Sequence, residues 1–118
     1  MSDPALTDAP HPGTMLADRL RTHSMSASEL SRHLGIPINR VTQIINGQRG
    51  VSGDSALRLA RFFGTPPSYW IELQMAYELR RAEEDRGDLI RRTVPTLNDV
   101  AKSRQPAQAS LSFARGAV

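Results

Sequence analysis

The 118-residue sequence contains no cysteine. It can therefore form no disulfide, no cysteine-ligated zinc site and no thiolate nucleophile. This absence suits a reducing compartment, and we expect a cytoplasmic protein. The sequence also lacks any apolar run near the roughly 20 residues that a transmembrane helix needs. Its first residues, "MSDPALTDAPHPG", are acidic and proline-rich, unlike a secretory signal. We expect no membrane association.

The sequence also lacks the side-chain patterns of metal sites, phosphate-binding loops and catalytic centres. The three histidines, His11, His23 and His33, include no pair at i, i+4 spacing, so we expect neither a metal site nor a cofactor. No glycine-rich phosphate loop is present. The carboxylates between residues 83 and 88 follow arginines at helical spacing, which favours an ion-paired helix end over a catalytic cluster. We expect no enzymatic activity.

Lysine is scarce: 14 of the 15 basic residues are arginine. Seven arginines lie between residues 19 and 61 with only two carboxylates, Glu29 and Asp54, whereas carboxylates outnumber arginines between residues 62 and 90. Arginine carries fork-shaped donors that suit phosphates and guanine edges. The pattern indicates nucleic-acid binding, although a solvated basic surface would have the same composition.

No segment alternates as a strand does, and the periodicity predicts an all-α protein with five helices between Pro12 and about Asp85. We divide the chain into a flexible arm at residues 1–11, a domain at 12–86 and a tail at 87–118. A further short helix is expected near residues 96–102. In the fourth helix, Leu57, Ala60 and Phe63 are expected on one face.

The stretch "GIPINRVTQIINGQRG" carries two different faces. On a helix over residues 38–46, one face presents apolar side chains to the core: Ile38, Val41, Ile44 and Ile45. The opposite face presents amides and a hydroxyl, flanked by Arg40: Asn39, Thr42, Gln43 and Asn46. Asparagine and glutamine amides can pair with adenine, and threonine can contact either base type.

The preceding segment predicts a helix-turn-helix. Ser26 and Glu29 form a capping box, and Gly35 suits the end of that helix. Five apolar residues are placed to join the two helices: Leu30, Leu34, Ile36, Val41 and Ile44. The second helix of such a pair lies in the DNA major groove. Gln48 and Arg49 follow it on a loop, where we expect a backbone phosphate.

The fifth helix is long for so small a domain and is rich in apolar residues. Those expected at a two-fold dimer interface are Tyr69, Trp70, Leu73 and Tyr77. The same residues could simply close the core over Phe62 and Phe63.

Three motifs together resemble the HigA/VapI-like antitoxins of the Cro/CI-type (XRE, lambda-repressor-like) helix-turn-helix family: "HPG", "LGIPINRVTQIINGQRG" and "ALRLARFFGTPPSYWIELQMAYELR". The resemblance spans about residues 11–83. It implies a five-helix domain that dimerises and binds a palindromic operator in its own promoter. It also implies that the protein neutralises a HigB-like toxin, a RelE-like ribonuclease encoded beside it.

The sequence departs from the family pattern at three positions. Thr14 replaces a frequent glutamate, and Ser31 replaces a usual alanine. Ala27 replaces a glutamine that often holds a phosphate, so Ser28 or the helix amides would have to make that contact. The alternatives to an antitoxin are a stand-alone XRE-family regulator and an adaptor without DNA binding. Asn39, Gln43 and Arg49 argue against the adaptor.

Overall fold

A computed structural model describes residues 9–104. Within this range the chain forms six helices: α1 (Pro12–Thr22), α2 (Ala27–Leu34), α3 (Ile38–Ile45), α4 (Gly53–Phe63), α5 (Pro67–Thr93) and α6 (Leu97–Lys102). The chain divides into two compact units, and the boundary along the sequence falls between Ala82 and Glu83 within α5. The first unit contains α1 to α4 and most of α5, and the second contains the end of α5 and α6. The all-α prediction is confirmed.

Helix α1 is fixed at its start by the segment that we expected to be an arm. His11 is the N-cap, and its Nδ1 accepts a hydrogen bond of 2.9 Å from the Gly13 N–H. Ala9 is buried, and its carbonyl accepts a 2.7 Å hydrogen bond from Arg80 Nε. Ala9 and His11 thus contact the first unit, and the rest of the expected arm, residues 1–8, lies outside the described range.

Helices α2 and α3 pack as predicted. Ser26 caps α2 by accepting a hydrogen bond of 3.0 Å from the Glu29 N–H, and Gly35 ends it at φ 71°. All five residues expected to join the two helices are buried: Leu30, Leu34, Ile36, Val41 and Ile44. Ile38 was expected in the same stripe, and that prediction is wrong because 48% of Ile38 is exposed at the first turn of α3.

Helix α4 buries Ala60, one of the three residues predicted to share a face, but it does not bury Leu57 with it. Its buried residues are Ser55, Ala56, Leu59 and Ala60. Leu57 is 61% exposed, and Phe63 is only partly buried. Leu57 lies about 100° around the helix from Ala56, outside the face that packs on the core. Leu57 therefore does not share the buried face with Ala60.

Helix α5 closes the core with Trp70, which is fully buried. The Trp70 indole N–H donates a 3.0 Å hydrogen bond to Thr65 Oγ1, so its polar group is satisfied inside the protomer. Trp70 has no surface left for a partner, and its assignment to a dimer interface is corrected. The helix also continues to Thr93, well past the expected domain end at residue 86.

The second unit has an ion-paired helix end, as expected for its carboxylates. Arg91 donates to Glu83 at 2.6 Å and to Asp88 at 2.9 Å. Thr96 caps α6 by accepting from the Asp99 N–H at 3.1 Å. Residues 87–104 of the expected tail are therefore largely helical, and residues 105–118 lie outside the described range.

Candidate nucleic-acid interface

Helix α3 keeps its polar side chains on the surface. Asn39 and Asn46 are exposed, and Thr42 and Gln43 are partly exposed, while Val41 is buried beneath them. The Thr42 hydroxyl donates to the Asn39 carbonyl at 3.2 Å. The α3 surface therefore offers donors and acceptors of the kind that read base edges.

The loop after α3 folds back onto Gln43. Gly47 adopts φ 75°, a left-handed conformation that glycine enters without strain. The Gln43 carbonyl then accepts hydrogen bonds from the N–H groups of Gln48 at 2.8 Å and Arg49 at 3.2 Å. The Arg49 side chain donates from Nε to Gln43 Oε1 at 2.9 Å. Gln43 and Arg49, which we expected to contact DNA separately, are therefore joined by hydrogen bonds.

Arg40 is turned toward α4 instead of the open α3 surface. It forms an ion pair with Asp54, and its Nη2 and Nε donate to Ser55 Oγ at 3.1 Å and 3.3 Å. Asp54 also accepts from Arg58 Nε at 2.9 Å. Hydrogen bonds from Arg58 and then Arg40 hold the pKa of Asp54 below its ordinary value. Arg40 thus links α3 to α4.

The start of α1 supports the other end of α3. A Cβ added to Gly13 would meet the carbonyl oxygen of Ile44 at 1.9 Å and that of Ile45 at 2.8 Å. Only a residue without a side chain can occupy this position. Reasoning from the residues alone did not assign Gly13 a role, although "HPG" belongs to the motifs that carry the family resemblance.

His11 lies at the same junction. Its ring contacts Tyr77 edge-on, with a centroid separation of 4.8 Å. Burial lowers the pKa of His11, and a hydrogen bond with the backbone of Arg49 partly opposes that shift. His11 therefore contacts α1, the loop after α3, and α5. Its lowered pKa favours the neutral form of the ring. The sequence did not reveal this role.

The remaining predicted site residues lie on α2, on the loop after α3 and on α5. Ser28 is exposed in the first turn of α2, and its carbonyl accepts from Ser31 Oγ at 2.7 Å. Gln48 is exposed on the loop beside Arg49. Tyr69, Leu73 and Tyr77 are partly buried on α5. More exposed apolar surface on this helix comes from Met75 and Leu79, at 55% and 56%.

Within residues 9–104, no group of three or more histidine, aspartate or glutamate side chains is arranged to hold a metal ion. In the same part of the chain, no helix has both the length and the apolar character that crossing a membrane requires.

The sequence pattern of the helix-turn-helix family HTH_3 matches residues 16–70, from α1 into α5. Virulence-associated protein I of Dichelobacter nodosus is 39% identical over 77 residues, covering 64% of this chain and 71% of that protein. The chain belongs to the HigA/VapI-like helix-turn-helix family.

Two solved structures share the fold of this HigA/VapI-like chain. An addiction-module antidote protein of the HigA family from Coxiella burnetii is 47% identical, with a TM-score of 0.72 over 75% of this chain and 97% of that one. The antitoxin HigA of Pseudomonas aeruginosa, solved with the higBA promoter, is 36% identical, with a TM-score of 0.73 over 75% and 98%. The family consists of DNA-binding antitoxins and regulators and is not enzymatic.

Proposed function

We propose that this protein is a cytoplasmic antitoxin that binds a palindromic operator as a dimer, represses its own operon and neutralises a RelE-like (HigB-like) ribonuclease toxin. The observation that carries DNA binding is α3, which buries Val41 and Ile44 at 1% and 2% exposure and turns Asn39, Gln43 and Asn46 outward. The Pseudomonas aeruginosa relative solved with its promoter supports the same ligand.

Charge supports the proposal as well. The arginine-rich region from residue 19 to 61 includes all of α2, α3 and α4, and the loop residue Arg49 is exposed next to α3. Basic side chains beside a reading helix attract DNA regardless of sequence and set its register, while the helix supplies sequence preference.

We place the dimer contact on α5. Met75 and Leu79 lie one turn apart and are more than half exposed, so together they form an exposed apolar strip on α5 that a partner helix could cover. One helix-turn-helix unit buries little surface on DNA, so a two-fold pair is expected to bind adjacent half-sites about 10 bp apart.

Sedimentation equilibrium tests the dimer. The unaltered chain should sediment as a dimer, and the double variant Met75→Glu, Leu79→Glu should sediment as a monomer. A matched control is Leu57→Glu, which alters an equally exposed leucine on α4 and should remain dimeric. A dimer that survives the double variant would contradict the α5 interface.

The antitoxin role is tested through the neighbouring gene. Expression of that gene alone should arrest growth, and co-expression with this chain should restore growth and yield a stable complex of the two proteins. A neighbour that is harmless, or that stays toxic with abundant antitoxin, would leave a stand-alone XRE-family regulator as the function.

A further inference from the structure

Gln43 and Arg49 form one hydrogen-bonded unit at the end of α3. The Gln43 carbonyl holds the backbone of the loop through Gln48 and Arg49, and Gln43 Oε1 holds the Arg49 side chain through Nε. The left-handed turn at Gly47 brings the loop back over the helix. Both the backbone and the side chain of Arg49 are therefore positioned before any ligand arrives.

The charge on Arg49 is available for a ligand. Among the described residues no carboxylate pairs with Arg49, whereas Asp54 engages both Arg40 and Arg58. Because Nε is used by Gln43, the two Nη groups are the donors that remain. These two groups form the end-on fork of a guanidinium, which matches two acceptors side by side.

The hydrogen bond also changes what Gln43 can recognise. Bidentate pairing with adenine needs an acceptor for the N6 amino group and a donor for N7. Gln43 Oε1 is the acceptor, and one of its two lone pairs already accepts from Arg49 Nε. The guanidinium held there would place its other donors against the adenine amino group, which is itself a donor. The groups that the pair presents outward are donors: Arg49 Nη1 and Nη2, and Gln43 Nε2.

Guanine fits such a pair. Its major-groove edge presents two acceptors, O6 and N7, and no donor. We infer that the Gln43–Arg49 pair selects guanine in each operator half-site, with the Arg49 Nη groups donating to O6 and N7. This inference rests on the proposed function, and it replaces the expectation that Gln43 reads adenine while Arg49 contacts phosphate.

Pre-positioning is the physical advantage of the pair. A free arginine loses side-chain entropy when it orders on a base. Arg49 is held by two hydrogen bonds that both end on Gln43, one from its backbone N–H and one from Nε, so less ordering remains for the binding step. Gln43 is thus a positioning residue for Arg49, in addition to any base contact of its own.

The test begins with selection of binding sites from random duplexes by the unaltered protein. Each half-site should contain a guanine whose replacement by adenine weakens binding by roughly 5- to 150-fold. Arg49→Ala should weaken binding to the guanine duplex and abolish or reverse the preference for guanine, because the guanidinium donors that match guanine and oppose the adenine amino group are then gone. Gln48→Ala alters the neighbouring loop side chain, which we expect at a phosphate, so it should weaken both duplexes alike and keep the preference for guanine.

The outcomes separate the inference from the proposed function. If Arg49→Ala weakens the guanine and adenine duplexes alike and leaves the preference unchanged, Arg49 contacts phosphate and the inference is overturned while operator binding stands. Selected half-sites without a sensitive guanine would overturn it in the same way. If the unaltered protein selects no sequence at all, the proposed function fails and the inference fails with it.

Discussion

Gly13 lies directly against Ile44: a Cβ at Gly13 would be 1.9 Å from the Ile44 carbonyl oxygen. This distance is well below any contact that two such atoms tolerate, and the obstacle is backbone rather than a side chain that could rotate away. The first turn of α1 therefore sets the position of the last turn of α3, where Gln43 meets the loop.

Gly13→Ala should destabilise the protein by roughly 1–3 kcal/mol, because helix α1 must move away from α3 to admit the methyl group. The matched control is Gly53→Ala in the first turn of α4, where an added Cβ meets nothing within 4 Å. That control should be neutral or slightly stabilising. Urea unfolding of both variants measures the difference, and equal stabilities would contradict the close packing of α1 on α3.

His11 should make stability depend on pH. Burial lowers its pKa in the folded protein, so the unfolded chain binds the proton more readily. The stabilising contribution of neutral His11 is complete above the unfolded pKa of about 6.5 and is lost as pH falls through the lower folded pKa. Protonation also removes the Nδ1 acceptor that caps Gly13.

His11→Asn tests this, because asparagine can cap a helix without titrating near neutral pH. Thermal unfolding midpoints should fall less for His11→Asn than for the unaltered protein when pH is lowered from about 7.5 to about 5.5. His11→Ser, which can also cap a helix and does not titrate near neutral pH, serves as a second variant and should show the same shallow pH dependence as His11→Asn. Identical pH dependence in all three proteins would show that His11 does not carry the effect.

Replacement of Arg40 should lower the stability of the domain more than it weakens binding to DNA phosphates. Its guanidinium is held by Asp54 and Ser55, so Arg40→Met should destabilise the domain by about 0.5–1.5 kcal/mol. The slope of log affinity against log salt should stay nearly constant. A slope reduced by about 1, with stability unchanged, would instead place Arg40 on a DNA phosphate.

Two leucines two residues apart on α4 should respond very differently. Leu59 is 1% exposed and Leu57 is 61% exposed. Leu59→Ala should cost about 2–5 kcal/mol by leaving a cavity, whereas Leu57→Ala should change stability by less than about 0.5 kcal/mol. Chemical denaturation of the two variants compares them, and a similar loss in both would mean that α4 is rotated from the described position.

The helix-turn-helix was predictable because its signals are local. These signals all lie between residues 26 and 44: the Ser26 cap, the turn glycine at position 35 and the spacing of Leu30, Leu34, Val41 and Ile44. Ile38 was misplaced, and Leu57 does not share the buried face of Ala60, because each lies beside the buried face of its helix. Periodicity gives the width of an apolar stripe only coarsely, and the neighbouring helices decide which edge is covered.

The internal contacts of the site could not be read from sequence. The Gln43–Arg49 hydrogen bond depends on the path of the loop after Gly47, and the Gly13 contact joins segments about 30 residues apart. Likewise, the sequence is compatible with Trp70 at a dimer interface or in the core. The hydrogen bond from its indole N–H to Thr65, seen only in the structure, places it in the core.

The central claim is that α3 reads the operator, and titration of Gln43→Ala tests it most directly. Gln43 does not belong to the buried stripe, so thermal stability should change little. Affinity for the operator should fall by roughly 1–3 kcal/mol, while affinity for a scrambled duplex of equal length should hardly change. An equal loss on both duplexes, or unchanged operator binding, would contradict the assignment of α3 as the reading helix.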